Sequence, residues 1–190
     1  MVQIMQSPSR ESLRKTPTLD IGFLIENPTN NIHELQEWNG ETKDVFIGSR
    51  DFVRSFVKNF NVSVTDDHIG IITYGDKPYM NFDFNEHLSN NRIRKAISGL
   101  HRPSSGSNTV EALTFAKKQL FQGSARPESR KYLIILASDS SKDDSPKVAD
   151  ELKKSGVKIY TIGIDSKDGI VQLNDVVSEP IESHKFLTSK

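Results

Sequence analysis

The sequence predicts an α/β domain, a doubly wound, mostly parallel sheet with helices on both faces. Two observations carry this. Short, nearly continuous apolar runs recur along the 190 residues, and amphipathic stretches of helical spacing separate them. The alternation of strand and helix leaves room for a crossover helix between parallel neighbours.

Residues 1–18 are polar and broken by Ser7-Pro8 and Thr16-Pro17, so they read as a leader or linker, with the domain occupying 19–190. Leu19 to Glu26 (LDIGFLIE) is apolar with polar ends, the pattern of a central strand buried on both sides. A polar cluster, Glu26 to Asn31, follows it. Val45, Phe46, Phe52, Val53, Phe56, Val57 and Phe60 then recur at helical spacing and predict an amphipathic helix packed on the sheet. His68 to Gly75 reads as a second strand, and Pro78 to Asn85 as an edge strand paired with it through a Gly-Asp turn. Ile93, Ala96, Ile97 and Leu100 predict a helix over 88–100. Val110, Leu113, Ala116, Leu120 and Phe121 predict another over 108–121. Lys131 to Ala137 is a buried strand. Ser145-Pro146 opens a helix that Gly156 closes, and Val157 to Ile164 returns to the sheet. A shorter helix over 169–177 and a last strand near His184 to Leu187 complete the series.

Composition excludes several functions. Lysine plus arginine equals aspartate plus glutamate at 25 each, which leaves no net field for a nucleic acid partner. No apolar run is long enough to cross a bilayer. Cysteine is absent, removing disulfides, thiolate metal sites and cysteine nucleophiles without deciding the compartment. The signatures of hydrolases, phosphate-binding loops and dinucleotide folds are missing, and His33, His68, His87, His101 and His184 form no His-x-x-x-His pair. These histidines read as surface or turn residues and the chain as a non-enzyme. Asn61-Val62-Ser63 is a formal N-glycosylation acceptor.

Four segments carry a family resemblance. Leu19-Asp20-Ile21-Gly22-Phe23-Leu24-Ile25 resembles the opening strand of von Willebrand factor type A domains, and His68 to Asp76 their second. Gly106-Ser107-Asn108-Thr109-Val110-Glu111-Ala112-Leu113 is similar to their Gly-Thr-Asn-Thr-Gly-x-Ala-Leu helix start, and Val157 to Ile164 resembles their fifth strand. The resemblance implies strand order 3-2-1-4-5-6 with one antiparallel edge strand. It also implies a last helix after the strand at 184–187, whereas the sequence stops at Lys190; residues 1–18 are a candidate cover for the sheet face that helix would occupy.

The resemblance places a Mg²⁺-dependent adhesion site at the carboxyl ends of the strands, where open α/β sheets bind ligands. The family's Asp-x-Ser-x-Ser aligns with Glu26, Pro28 and Asn30, its threonine with Ser107, and its late aspartate with Ser138. Proline has no side-chain oxygen, asparagine offers a neutral carbonyl, and Ser138 removes a charge, so weak or no dication binding is expected. Glu26, Asn30, Ser107 and Asp139 are the metal candidates if Mg²⁺ or another divalent cation does bind; Asp139 needs a one-residue slip to face the site. The binding face comprises Glu26, Asn30, Trp38, Ser107, Thr109, Ser138 and Asp139. Residues 31–44 are an insertion in which Ile32 and Leu35 suit one helical turn and Trp38 serves either as a recognition surface or as an anchor to the domain. The resemblance points to an extracellular or cell-surface adhesion module, with collagen-like matrix proteins as the partner class. A cytoplasmic, metal-independent scaffold and a metal-dependent domain with an atypical ligand set are the alternatives.

Overall fold

The computed structural model describes residues 17–28, 36–38, 41–138, 145–164 and 172–187. The apolar runs form the middle of the sheet: β1 (Leu19–Glu26), β4 (His68–Tyr74), β6 (Arg130–Ala137) and β7 (Val157–Gly163). These four run parallel, with β4 and β6 on either side of β1 and β7 beyond β6. β5 (Pro78–Phe82) closes one edge antiparallel to β4, and β8 (Lys185–Leu187) lies parallel on β7 at the other. The order is therefore β5-β4-β1-β6-β7-β8, which is 3-2-1-4-5-6 when only these six strands are counted. In the insertion, β2 (Gln36–Trp38) and β3 (Glu41–Lys43) pair as a small antiparallel hairpin. Ile32 and Leu35 lie outside the described residues.

Helices cover both faces. α1 (Val45–Phe56) starts on an Asp44 cap, whose carboxylate accepts the Ile47 N–H, and runs on as a 3-10 turn, Val57–Asn59. With α2 (Asn90–Ser98), capped by Ser89, it buries Phe46, Val53, Ile93 and Ile97 against Ile21, Phe23, Ile25 and Ile71. On the opposite face α3 (Thr109–Phe115) continues through a π turn, Ala116–Phe121, and joins α4 (Ser145–Lys154) over Leu24, Ile72, Leu133 and Ile135. Gly22 and Gly70 admit this helix: a Cβ on either would lie 2.7 or 2.5 Å from the Leu120 side chain. At the amino end of β1 the buried Asp20 carboxylate accepts from the Arg126 backbone N–H, the Arg126 guanidinium and the Ser129 hydroxyl. The buried charge is thus paired and hydrogen-bonded on several sides.

Two expectations change. The predicted helix over 169–177 is, in its described part, a 3-10 turn at Gln172–Asp175. The chain straightens after it because Ser178 bonds reciprocally to Ile159, on the part of β7 that β8 leaves unpaired. A short α5 (Ile181–His184) then precedes β8. The histidines also divide. His101 is exposed, but His68 is buried because it opens a strand covered on both faces, and His184 is buried against the Tyr160 ring, 4.6 Å between centroids. His33 lies outside the described residues.

Candidate functional site

Parallel register brings the ends of β1, β4 and β6 to one edge: Glu26 pairs with Tyr74, and Ile25 with Leu136. Asn27, the first residue beyond β1, is buried and ties this edge together. Its backbone N–H donates to the Tyr74 carbonyl at 2.7 Å, and its carbonyl accepts the Gly106 N–H at 3.0 Å. Its side-chain amide donates to the Pro103 carbonyl at 2.7 Å, and the amide oxygen accepts from Arg102 Nε at 3.1 Å. One side chain therefore holds the loop before α3 over the end of β1.

That loop also packs backbone to backbone on the turn after β4. A Cβ on Gly75 would fall 1.7 Å from the Ser104 carbonyl oxygen, and one on Gly106 would fall 2.5 Å from the Asp76 nitrogen, so only glycine permits the approach. Asn108 completes the join: its N–H donates to the Gly75 carbonyl at 3.0 Å while its side-chain oxygen caps α3 through the Glu111 N–H. At the rim, Arg102 pairs with the Asp44 carboxylate and lies 5.4 Å from the centre of the Phe46 ring. Loop, β1 end and α1 start form one connected face.

On this face the residues expected from sequence fall as follows. Glu26 is 1% exposed, and its Oε2 accepts the Ser138 backbone N–H at 2.7 Å, with the Ser138 hydroxyl at 3.5 Å. Ser107 sits next to the Gly106–Asn27 bond; its hydroxyl oxygen is buried and has no hydrogen-bond partner among the described residues. Thr109 is 2% exposed in the first turn of α3. Trp38 is the last residue of β2, and Asn30 and Asp139 lie outside the described residues. Asn61 is exposed on the turn before β4, its amide donating to Asp66. Sequence reasoning missed Asn27, Arg102, Asn108 and Asp44 as builders of the face. For Asn108 and Asp44 a signal existed, since each is an Asn or Asp directly before a helical period.

The donor set bears on the family's metal. A hard dication such as Mg²⁺ takes six oxygen ligands, carboxylates foremost. Among the described residues the face offers the Glu26 carboxylate, with one oxygen engaged by a backbone N–H, the Asp44 carboxylate, paired with Arg102, and the Ser107 and Ser138 hydroxyls. Pro28 adds no side-chain oxygen. No group of three or more His, Asp or Glu side chains is gathered as metal ligands among the described residues. This part of the donor set does not fit a dication by itself, and no chemistry is routed through one.

Comparison with known proteins gives a consistent result. A model of the von Willebrand factor type A domain matches residues 32–190. Vitrin of Homo sapiens is 31% identical over 173 residues, covering 90% of this chain and 24% of vitrin. The collagen alpha-4(VI) chain of Mus musculus is 29% identical over 135 residues, covering 70% of this chain and 6% of that one. Among solved structures, proximal thread matrix protein 1 from the mussel byssus, with its MIDAS motif occupied by zinc, superposes with a TM-score of 0.77 at 21% identity. It covers 92% of this chain and 42% of that one. The chain thus spans about a quarter of vitrin and a far smaller part of the collagen.

Proposed function

From the premise that the chain belongs to the von Willebrand factor type A family, we propose that it is a non-enzymatic, extracellular module that binds a collagen-like matrix protein with little or no dependence on a dication. The binding surface is the strand-end face: the loops at 26–31, 106–109 and 138–144, with the hairpin carrying Trp38 beside them. The observation that carries the reading is the contact of Glu26 with the Ser138 backbone, which commits a carboxylate oxygen within the fold. Affinity then comes from direct hydrogen bonds and apolar anchors, with the described loop before α3 held by Asn27 and Asn108, so little is lost to ordering that loop on binding. Relatives that include a collagen chain support the partner class. The exposed Asn61 acceptor is compatible with an extracellular setting.

A second reading rests on Ser107, whose buried hydroxyl has no partner among the described residues. In that reading Asn30 and Asp139 join Ser107 and Glu26 as an atypical ligand set. Binding of the chain to immobilised collagens, in Mg²⁺ and in EDTA, separates the two. The expected result is saturable binding that changes less than twofold with EDTA. A tenfold or greater loss in EDTA favours the second reading, and no saturable binding to any collagen overturns the partner class.

A further inference from the structure

The two helices on the α1 side of the sheet carry charge that the fold leaves unbalanced. α1, its 3-10 extension and α2 hold the cations Arg50, Arg54, Lys58, Arg92, Arg94 and Lys95 against a single carboxylate, Asp51. The whole chain has 25 residues of each sign, so the excess is local. Between the helices lies a cleft of about 350 Å³ lined by Asp51, Arg54, Ser55, Lys58 and Arg94. Arg54 and Lys58 stand four residues apart on one helical face, a spacing at which like charges repel.

Nothing among the described residues neutralises the three cations of the cleft. The Asp51 carboxylate is paired with Arg50 at 3.0 Å, and Arg54, Lys58 and Arg94 take part in no ion pair among the described residues. Arg94 Nε is buried and has no hydrogen-bond partner among the described residues. A buried donor of this kind calls for an acceptor, and crowded cations call for an anion.

We propose that the cleft binds sulfate groups of a sulfated polysaccharide. The proposal takes only the extracellular setting from the function above and uses none of the strand-end loops. Extent comes first. The cations run along α1 and its extension from Arg50 to Lys58, roughly 12 Å at about 1.5 Å per residue, and continue on α2, so the ligand carries several anionic groups rather than one. Lining comes second. No aromatic ring faces the cleft, which leaves a nucleic-acid base nothing to stack on, and no apolar side chain there could enter a bilayer. A sulfated polysaccharide presents repeated anions on a polar backbone, with neither base nor acyl chain. Donor geometry comes third: the planar guanidinium groups of Arg54 and Arg94 can each grip two oxygens of one sulfate.

Heparin is the probe. The full chain should bind immobilised heparin saturably at physiological salt, more weakly as salt rises, and should bind chemically desulfated heparin at least tenfold more weakly. Arg54→Gln with Lys58→Gln should weaken heparin binding at least tenfold. Lys147→Gln with Lys154→Gln removes the same charge from exposed positions of α4, on the opposite face, and should change it less than twofold. Equal losses in the two double variants would mean diffuse attraction and overturn the site, as would no saturable binding or equal binding of desulfated heparin. Tighter binding to phosphatidylserine vesicles or to a single-stranded oligonucleotide than to heparin would overturn the ligand class. Should the Arg54 and Lys58 variant not fold, titration of the unaltered chain with a heparin hexasaccharide still decides: amide resonances of Arg54, Lys58 and Arg94 should shift, and shifts confined to other elements contradict the proposal. Collagen binding should survive in the Arg54 and Lys58 variant; absent collagen binding with heparin binding intact overturns the strand-end reading alone.

Discussion

Glu26 shows how a carboxylate at a strand end can serve the fold. Its carboxylate is buried and accepts the Ser138 N–H at 2.7 Å, so it fastens the end of β1 to the start of the loop after β6. A charge-assisted bond of this kind is stronger than a neutral one, and removing its acceptor leaves a backbone donor unsatisfied. Glu26→Ala should therefore lower the unfolding free energy by about 1–3 kcal/mol in urea titration. Glu26→Gln keeps an acceptor and should lose less than half as much. The loss should be equal in Mg²⁺ and in EDTA, because the bond lies within the protein; a loss seen only in Mg²⁺ would mean that the carboxylate serves a metal instead. Asn27 matters as much, and nothing marked it in the sequence, because its partners Tyr74, Arg102, Pro103 and Gly106 are far along the chain.

The elements are positioned by where small residues let them approach. Gly22 and Gly70 sit side by side in β1 and β4, and both face Leu120 in the π turn that extends α3. Gly70→Ala should cost about 1–3 kcal/mol through overpacking. Combined with Leu120→Ala, which empties the same space, the two costs should fall short of additive by more than about 0.5 kcal/mol. Thermal unfolding of the four proteins checks this, and strict additivity would mean that Leu120 does not set the approach. The elements that sequence predicted well have strong periods: β1, β4, β6 and β7 are apolar runs, and α1, α2 and α3 carry clear helical stripes. Those it did not resolve are short and governed by distant contacts. The three-residue strands Gln36–Trp38 and Glu41–Lys43 hold little apolar alternation, and Gln172–Asp175 stops at one 3-10 turn because Ser178 bonds to β7.

At the scale of the molecule, the order of the six strands brings three loops to one edge, and the edge becomes a surface because glycine and asparagine lock the loops together. The location of that surface was legible, since strand ends follow from strand assignments and the segment Gly106–Leu113 marks the loop over them. Its internal wiring was not, because Asn27 and Asp44 meet Arg102, and Asn108 meets Gly75, only after folding. Charge bears on the proposed metal independence: Glu26 is engaged by the Ser138 N–H, Asp44 is paired with Arg102, and proline stands at position 28. Isothermal calorimetry of the metal-stripped chain with Mg²⁺, Mn²⁺ and Ca²⁺ measures this directly. The expected result is no saturable one-to-one heat with any of the three. Stoichiometric, tight binding of Mg²⁺ or Mn²⁺ that Ser107→Ala abolishes would contradict it.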